Sequence, residues 1–232
     1  MKFYAISDLH ISTNTNKPMD VFGGNWVGYL DKIKYDWEQK VTDEDVVLIG
    51  GDISWAMDIN DARKDIESIA HLKGTKVLIK GNHDYWWSGI TKVREMLPEG
   101  FIALQNDSVK IGNVVICGSR CWSVPGSPDF NEQDMKIYLR ETERLKLSLA
   151  SASKLMQEGD KLLALIHYPP FNVKRENSAF TDIFEQNKVD TVVYGHLHGK
   201  SVRADRLVNR NGIKYYLTSC DQVDNKLTEI EL

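Results

Sequence analysis

Cysteine is scarce in this sequence, which contains three in 232 residues. An odd number cannot all pair within one chain, and Cys117 and Cys121 lack a second close pair that would complete a structural zinc site. The cysteine content therefore favours a reduced chain over a disulfide-stabilised secreted fold. We expect a reduced, cytoplasmic protein.

Long hydrophobic runs are also missing, since no apolar stretch approaches the roughly 18 residues that a membrane-spanning helix needs. Met1 and Lys2 lead directly into a short apolar segment that ends before Asp8, which leaves no room for the apolar part of a signal peptide. We expect neither secretion nor a membrane partner.

Positive charge forms no long run in the sequence, since the formal net charge is -4 and Lys and Arg never form a run of five. We do not expect long nucleic acid as a partner, although a short charged substrate is not excluded. The length and the 42% hydrophobic content suit one sizeable core, so residues 1–232 are expected to form a single domain. The sequence carries no signal for the oligomeric state.

Short apolar runs that end in glycine or polar residues are frequent instead. They cover residues 3–6, 46–49, 77–79, 114–117, 162–166 and 189–194. Their lack of strict alternation predicts strands buried on both faces. Apolar residues at helical spacing separate the early runs, which predicts parallel strands joined by helices. A longer helix is predicted after Asn131, its N-cap, and before Gly159. Near the C-terminus, Asn211-Gly212 and Asp224-Asn225 are hairpin signals that predict antiparallel strands.

Polar side chains of ligand type follow five of the predicted strands. They are Asp8 and His10, then Asp52, then Asn82 with His83 and Asp84, then His167, and finally His196 with His198. The C-terminal ends of parallel strands form the edge where α/β sheets bind ligands. The clusters contain five of the six histidines, and two of them have an i, i+2 spacing that places both side chains on one face. This pattern predicts one shared site.

The chemistry of these side chains favours particular metals. Imidazole nitrogen mixed with carboxylate and amide oxygen suits Mn, Fe or Zn better than Ca or Mg. About seven ligands are too many for one tetrahedral ion, whereas two ions that share a bridging carboxylate would use them all. The sequence therefore predicts a dinuclear metal site of the kind found in phosphatases and nucleases.

In their order along the chain, these clusters resemble the calcineurin-like metallophosphoesterase superfamily, whose pattern is D-x-H, G-D, G-N-H-[D/E], H and G-H-x-H. The matching residues are Asp8/His10, Gly51-Asp52, Gly81-Asn82-His83-Asp84, His167 and Gly195-His196/His198. The resemblance implies a four-layer αββα sandwich of two mixed sheets flanked by helices. It also implies that Asp8, His10, Asp52 and His198 hold one ion, that Asn82, His167 and His196 hold the other, and that Asp52 bridges them.

The same resemblance implies a mechanism. His83 would face the substrate and donate a proton to the leaving oxygen, with Asp84 orienting its imidazole and favouring the protonated form. A metal-bound hydroxide would attack a small phosphodiester or phosphomonoester. We expect a phosphoesterase; the alternatives are a nuclease, a protein phosphatase or a non-catalytic metal-binding scaffold of the same fold.

One difference from the superfamily pattern indicates which branch of the superfamily this sequence resembles. The serine/threonine phosphatases of the superfamily carry a phosphate-gripping arginine after G-D, whereas Ile53 to Met57 follow Asp52 here. This favours the phosphodiesterase-like branch and leaves open whether Arg120, Lys174 or Arg175 supplies a positive charge or is a solvated surface residue. It is equally open whether the aromatic residues after strand ends line a substrate mouth or pack in the core; they are Trp55, Tyr85, Trp86, Trp87 and Trp122.

Overall fold

The β-strands form two sheets in the computed structural model, which describes residues 1–13, 19–128, 130–199, 202 and 204–232. In chain order the described strands are β1 (Phe3–Ile6), β2 (Val46–Ile49), β3 (Thr75–Ile79), β4 (Phe101–Leu104), β5 (Ser108–Ile111), β6 (Val114–Ser119), β7 (Lys161–Ile166), β8 (Thr191–Tyr194), β9 (Leu207–Arg210), β10 (Ile213–Leu217) and β11 (Thr228–Ile230). The first sheet has the order β11-β1-β2-β3-β4, and the second has the order β5-β6-β7-β8-β10-β9. The edge strands β5, β9 and β11 run antiparallel to their neighbours, so both sheets are mixed.

Helices cover the outer face of each sheet. The described α-helices are α1 (Tyr29–Lys40), α2 (Ile59–Glu67), α3 (Ile90–Met96), α4 (Glu132–Ser153) and α5 (Ala179–Gln186). Trp37 of α1 and Ile66 of α2 belong to the core beside the first sheet, while Leu145 of α4 and Phe180 of α5 belong to the core beside the second. In this described part of the chain, no helix combines the length and the apolar character that a membrane span requires.

Alternate side chains of the central strands enter different cores. In β1, Tyr4 and Ile6 pack against the helices of the first sheet, whereas Phe3 and Ala5 pack between the sheets with Leu165 of β7. Because successive side chains on a strand point to opposite faces, a strand covered on both faces must be apolar throughout. The layer order is helix, sheet, sheet, helix, which confirms the four-layer αββα sandwich.

The predicted alternation of strands and helices in the N-terminal part of the chain is confirmed. β1, α1, β2, α2 and β3 follow one another, and the three strands are parallel neighbours. The helix predicted after Asn131 is α4, and Asn131 Oδ1 accepts hydrogen bonds from the main-chain N of Gln133 at 2.8 Å and of Asp134 at 3.2 Å. Asn131 is therefore its N-cap.

Of the two predicted C-terminal hairpins, one is confirmed and the other is wrong. Asn211 and Gly212 connect the antiparallel strands β9 and β10, with φ of 51° and 82° as a tight hairpin turn requires. Asp224 and Asn225 also have positive φ, but β10 lies in the second sheet whereas β11 pairs with β1 in the first. Their turn sends the chain across to the other sheet, because β1 offers β11 an open edge.

The sequence patterns missed four short elements, α3, β4, β5 and α5. Every residue of β5 is half-buried, so no alternation of apolar and polar side chains marks that strand. α5 begins with a capping box in which Thr181 replaces the usual glutamate or glutamine. Short elements of this kind depend on tertiary contacts more than on local sequence.

Candidate metal centre

The predicted ligand side chains lie at the C-terminal edges of both sheets. Asp8 and His10 follow β1, Asp52 follows β2, Asn82 follows β3, His167 follows β7, and His196 and His198 follow β8. Main-chain hydrogen bonds extend the pairing past the strand ends, since Asp8 N donates to Gly51 O at 3.0 Å and His10 N donates to Asp52 O at 2.9 Å. A bridge between Ser7 and Ser219 joins the first sheet to the segment after β10. Both sheets thus supply side chains to one place.

Four of these residues have a left-handed backbone conformation. The φ angle is 58° at Asp8, 45° at His10, 51° at Asp52 and 69° at His196. Such angles are uncommon in residues with a Cβ and cost on the order of 1 kcal/mol or more each. Their concentration at one edge indicates that the packing of the loops forces these side chains inward.

Four predicted ligands form a compact cluster. One ligand atom from each of Asp8, His10, Asp52 and His198 lies within 4.8 Å of the others. Asp8, His10 and Asp52 are buried, and His198 is half-buried. These are the four residues that the resemblance assigned to one ion. Two buried carboxylates at such close range repel each other, so the cluster favours a cation.

The other three predicted ligands meet at the Asn82 side chain. Asn82 Oδ1 lies 2.8 Å from His167 Nε2 and 2.9 Å from His196 Nδ1. Asp52 Oδ2 lies between the two groups, 3.8 Å from His10 Nε2 and 3.5 Å from His167 Nε2. The structure therefore brings all seven predicted residues together, with Asp52 at the centre.

Glycines permit this close approach at two points. A Cβ at Gly81 would clash with Asp52 Oδ1, and a Cβ at Gly195 would lie 2.7 Å from Asp8 Oδ2. Neither glycine needs a positive φ, so the requirement is space rather than backbone freedom. Both glycines belong to the sequence motifs, and the structure gives their physical reason.

The unsatisfied polar atoms of the cluster fit a bound cation. Both ring nitrogens of His10 and Asp52 Oδ2 are buried without a hydrogen-bond partner among the described residues, a costly arrangement unless another ligand binds them. His167 Nδ1 lies 2.8 Å from the Gly50 carbonyl oxygen. Because that oxygen only accepts, Nδ1 carries the proton and Nε2 presents a lone pair to the cluster. The nitrogen and oxygen donors suit a first-row metal ion.

Burial determines the charge state of these groups. It lowers the pKa of His167 to about 3 and the pKa of His196 to about 2, and it holds the pKa of His10 well below its ordinary value. The imidazoles are therefore neutral at neutral pH, which is the form that binds a metal. Burial also raises the pKa of Asp52 to about 6, and burial together with the charge of Asp52 raises the pKa of Asp8 well above its ordinary value.

The Asp84 side chain is held by main-chain groups of two loops. Its carboxylate accepts hydrogen bonds from the Trp86 indole and from four main-chain N–H groups, those of Asp52, Ile53, Ser54 and Gly81, at 2.7 to 3.2 Å. Burial and the charge of Asp52 raise the pKa of Asp84 to about 7, whereas the five donors favour the carboxylate. Asp84 thus ties the loop after β2 to the loop after β3, and none of these five bonds involves the His83 imidazole.

The His83 imidazole lies beside the first cluster. Its ring centroid is 5.6 Å from that of His10 and 4.6 Å from that of Trp55, and Trp55 also stacks on His10 with centroids 4.7 Å apart. The main-chain N of His83 donates to Asp52 Oδ1 at 2.7 Å. His83 is half-buried, so part of the residue remains exposed to solvent.

The aromatic residues after the strand ends divide between two roles. Trp86 and Trp87 are buried in the core beside the first sheet. Trp55 and Trp122 are half-buried, and Tyr85 is 55% exposed. Trp55 stacks on His10 and packs against His83, and Tyr85 makes an edge contact with His83 at 6.0 Å between ring centroids. Packing in the core therefore accounts for part of this set, and the rest borders the site.

Two further aromatic residues at the site were missed by sequence reasoning. The ring centroid of Trp26 is 6.0 Å from that of His198, and the ring centroid of Tyr168 is 4.0 Å from that of His196. Trp26 lies in a short 3-10 helix, far from every motif, and nothing in the sequence marks it. Tyr168 directly follows His167, so its position in the motif was a usable signal.

The three candidate cations differ in position. The Arg120 carbonyl oxygen accepts a hydrogen bond from the main-chain N of His167 at 3.2 Å, which places Arg120 beside the cluster. Arg175 forms an ion pair with Asp205, and Lys174 is exposed. Arg120 therefore borders His167 through its main chain, and Arg175 lines a cavity together with His196.

Solved structures share this fold over nearly the whole chain. A protein of unknown function from Aquifex aeolicus, AQ665, is 16% identical with a TM-score of 0.51, and the match covers 98% of this chain and 95% of that chain. TT1561 of Thermus thermophilus is 11% identical with a TM-score of 0.58, and the match covers 99% of this chain and 97% of that chain. At these identities the likeness shows the fold alone.

Sequence comparison supplies the relationship that the folds leave open. No curated protein matches the sequence at a significant level. The sequence model of the calcineurin-like phosphoesterases, by contrast, matches residues 1–200, a range that contains every cluster described above. The chain therefore belongs to the calcineurin-like phosphoesterase family.

Proposed function

We propose that this protein is a dinuclear metal-dependent phosphoesterase that cleaves a small phosphodiester or phosphomonoester. One observation carries the proposal. Asp52 Oδ2 is buried between His10 Nε2 and His167 Nε2, at 3.8 Å and 3.5 Å, without a hydrogen-bond partner in the described part of the chain. A carboxylate oxygen in this position suits a bridge between two cations.

The seven clustered side chains would hold two ions, with Mn, Fe or Zn as the best fit to the donors. Asp8, His10, Asp52 and His198 would bind one ion, and Asn82, His167 and His196 would bind the other. When bound, such ions supply a nucleophile at neutral pH and counter the charge that develops on the phosphoryl group. The protein keeps the imidazoles neutral by burial and fixes the His167 ring through its bond to Gly50.

His83 is proposed as the catalytic acid. Its imidazole borders the first cluster and the residue is only partly buried, so it can hold a proton for the leaving oxygen of a substrate bound at the ions. The Trp55 ring packs against it at 4.6 Å between centroids and limits its orientations. Asp84 contributes indirectly, by fixing the backbone on which Asp52 and His83 stand.

The sequence after Asp52 favours a phosphodiesterase-like activity. Ile53 and Ala56 are buried in the core, and Trp55 packs against His10. These positions therefore offer no cation to grip a phosphomonoester dianion. A diester carries one negative charge fewer at the scissile phosphate and depends less on such a cation.

Metal analysis combined with a substrate panel tests the proposal. The panel contains bis(p-nitrophenyl) phosphate, p-nitrophenyl phosphate, cyclic nucleotides, a phosphopeptide and single-stranded DNA. We expect about two metal ions per chain and fastest turnover of a small diester. In the same assays Asp52→Asn should lose metal and turnover together. Asp61→Asn is its matched control, because Asp61 lies on α2 and pairs with Lys64 at the surface.

Other outcomes of the panel would replace the proposal. Preferred cleavage of the phosphopeptide would indicate a protein phosphatase, and preferred cleavage of DNA would indicate a nuclease. Two bound ions without turnover of any phosphoester would indicate a non-catalytic scaffold. A protein that binds no metal would contradict the proposed centre itself.

A further inference from the structure

A cavity lies between helix α4 and the loops that carry the proposed metal ligands. It encloses about 320 Å³ between the ends of β3, β4 and β6 and the helix α4. Its lining includes Lys80, Arg120, Arg140 and Arg144, and the single carboxylate among the lining residues is Glu141. Leu104 is the one apolar lining residue, so the cavity does not suit an apolar ligand.

The cavity lining carries more positive charge than is needed to balance the charge of Glu141. The Glu141 side chain is 1% exposed, and its Oε1 lies 2.8 Å from Arg144 Nη1, 3.0 Å from Arg140 Nη2 and 3.4 Å from Arg120 Nη2. One buried carboxylate needs one cation, yet three guanidinium groups converge on the same oxygen. With Lys80 the lining carries a formal charge of +3. Like charges held this close repel one another and favour an anion among them.

The position of the cations along α4 points the same way. Arg140 and Arg144 are one helical turn apart, and like charges at this spacing destabilise a helix. Both are well exposed, at 53% and 41%, so their guanidinium groups remain accessible from the cavity. A planar guanidinium donates paired hydrogen bonds that match the oxygens of a phosphate group.

A neutral donor completes the lining. Ser119 Oγ is buried and has no hydrogen-bond partner among the described residues, and Ser119 is one of the residues that line the cavity. A buried hydroxyl without a partner is unusual and commonly marks the place of a missing ligand or water. This unsatisfied hydroxyl therefore lies buried in the wall of the cavity that the arginines line.

The cavity and the metal centre share a wall. Arg120 follows β6, and its carbonyl oxygen accepts hydrogen bonds from the main-chain N of His167 at 3.2 Å and of Tyr168 at 3.1 Å. Lys80 stands directly before the motif that contains Asn82. An anion bound in the cavity would therefore lie next to the loops that carry the proposed ligands.

We propose that this cavity, which we name the arginine pocket, binds a phosphate-type oxyanion through Arg120, Arg140 and Arg144. The oxyanion is either free phosphate or a second phosphate group of the substrate, and the latter case rests on the proposed function. The pocket is separate from the metal ligands, since none of the seven lines it.

Calorimetric titration of inorganic phosphate into the metal-loaded protein tests the pocket. Phosphate also binds to metal centres, so the titration is repeated in the Asp52→Asn background, where the remaining binding reports the pocket. We expect Arg140→Gln with Arg144→Gln to weaken that binding by roughly tenfold or more, because each arginine contributes charged hydrogen bonds. Arg140→Gln alone should weaken it less and leaves Glu141 paired with Arg144.

Lys136→Gln with Lys146→Gln is the matched control, because it removes two exposed positive charges from the same helix outside the pocket. Equal phosphate affinity in the arginine variants and this control would overturn the proposal. A wild-type crystal soaked in tungstate gives an independent measurement. It should show tungsten beside Arg140 and Arg144, and an empty pocket there would equally overturn it.

Kinetics distinguish the two sources of the anion. If the pocket holds a distal phosphate, the arginine variants should raise the KM for adenosine 3′,5′-bisphosphate and leave the KM for p-nitrophenyl phosphate unchanged. If the anion is free, both KM values should stay the same while phosphate binding weakens. Should the wild-type protein hydrolyse neither of these monoesters nor the diester bis(p-nitrophenyl) phosphate, the proposed function fails on its own, and the phosphate titration still decides the pocket.

Discussion

Asp84 Oδ2 accepts a hydrogen bond from the main-chain N of Asp52 at 2.9 Å, so one carboxylate fixes the backbone that carries another. Asp84 thereby links the loops after β2 and β3 through buried bonds. An amide at this position would turn an NH₂ group towards main-chain N–H donors. This relationship makes Asp84 a positioning residue whose replacement should be felt at the metal centre.

We predict that Asp84→Asn destabilises the metal-free protein by about 2 to 4 kcal/mol, because at least two buried donors lose their acceptor. Urea unfolding measures this change. Asp58→Asn is the control, since Asp58 caps α2 at the surface by accepting from Asn60 N at 2.9 Å and asparagine caps equally well. Equal stability of both variants would show that the Asp84 bonds do not hold the loops.

Asp52→Asn and His83→Gln should separate metal binding from catalysis. Asp52 lies between the two groups of ligands, so its amide variant should lose metal and turnover together. His83→Gln should keep the metal and lose roughly a hundredfold or more in kcat, as expected when a general acid is removed. Metal analysis and steady-state kinetics on bis(p-nitrophenyl) phosphate give both values. Full activity of His83→Gln would remove His83 from the mechanism.

Gly81→Ala should disturb the proposed metal centre by a steric clash. The new Cβ would clash with Asp52 Oδ1, so we predict weaker metal binding and a lower Tm. Gly89→Ala is the matched control, because a Cβ at Gly89 meets no atom within 4 Å and its φ is -70°. If the two variants bind metal equally, the close approach of Gly81 to Asp52 is not required.

Metal affinity should fall as the pH is lowered through about 6. Burial raises the pKa of Asp52 to about 6 in the metal-free protein, so below that pH a proton must leave before Asp52 can bind a cation. His167 and His196, with pKa values of about 3 and about 2, add no proton competition until much lower pH. Calorimetry of Mn²⁺ binding in buffers of different ionisation enthalpy measures the protons released. Unchanged affinity between pH 7 and pH 5 would contradict this pKa.

Metal binding should also raise the Tm. A ligand that binds only the folded state stabilises it by about 2.7 kcal/mol at a hundredfold excess over Kd. We expect Mn²⁺ to raise the Tm, EDTA to reverse the increase, and Asp52→Asn to abolish it. A shift that persists in Asp52→Asn would indicate binding elsewhere.

The motifs were sufficient to predict which side chains meet at the centre, because glycines and strand ends leave local signals. The pattern of apolar runs likewise predicted the parallel order of β1, β2 and β3. The orientation of Asp84 could not be predicted, since adjacency to His83 in the sequence does not specify which way a carboxylate points. Its five donors come from the distant loop after β2 and from its own turn.

Contacts between distant segments account for the other misses. Trp26 reaches His198 across most of the chain, and Arg140 and Arg144 border the pocket only because α4 lies over the ends of β3 and β6. Asp224 and Asn225 have the composition of a hairpin turn, but the partner of β11 is decided by the open edge of β1. Local sequence therefore predicts that a turn forms, but it does not predict which strand the following segment pairs with.

The proposed ligands hang from both sheets, with Asp52 and Asn82 on one side and His167 and His196 on the other. A pair of cations at this edge would cross-link the two sheets, so the sheets could not separate without breaking metal–ligand bonds. Binding of the two ions would then also slow the unfolding of the protein. In a cell that lacks the metal, the metal-free protein would be inactive and would unfold faster. Proteases would therefore degrade the metal-free protein before the metal-bound protein.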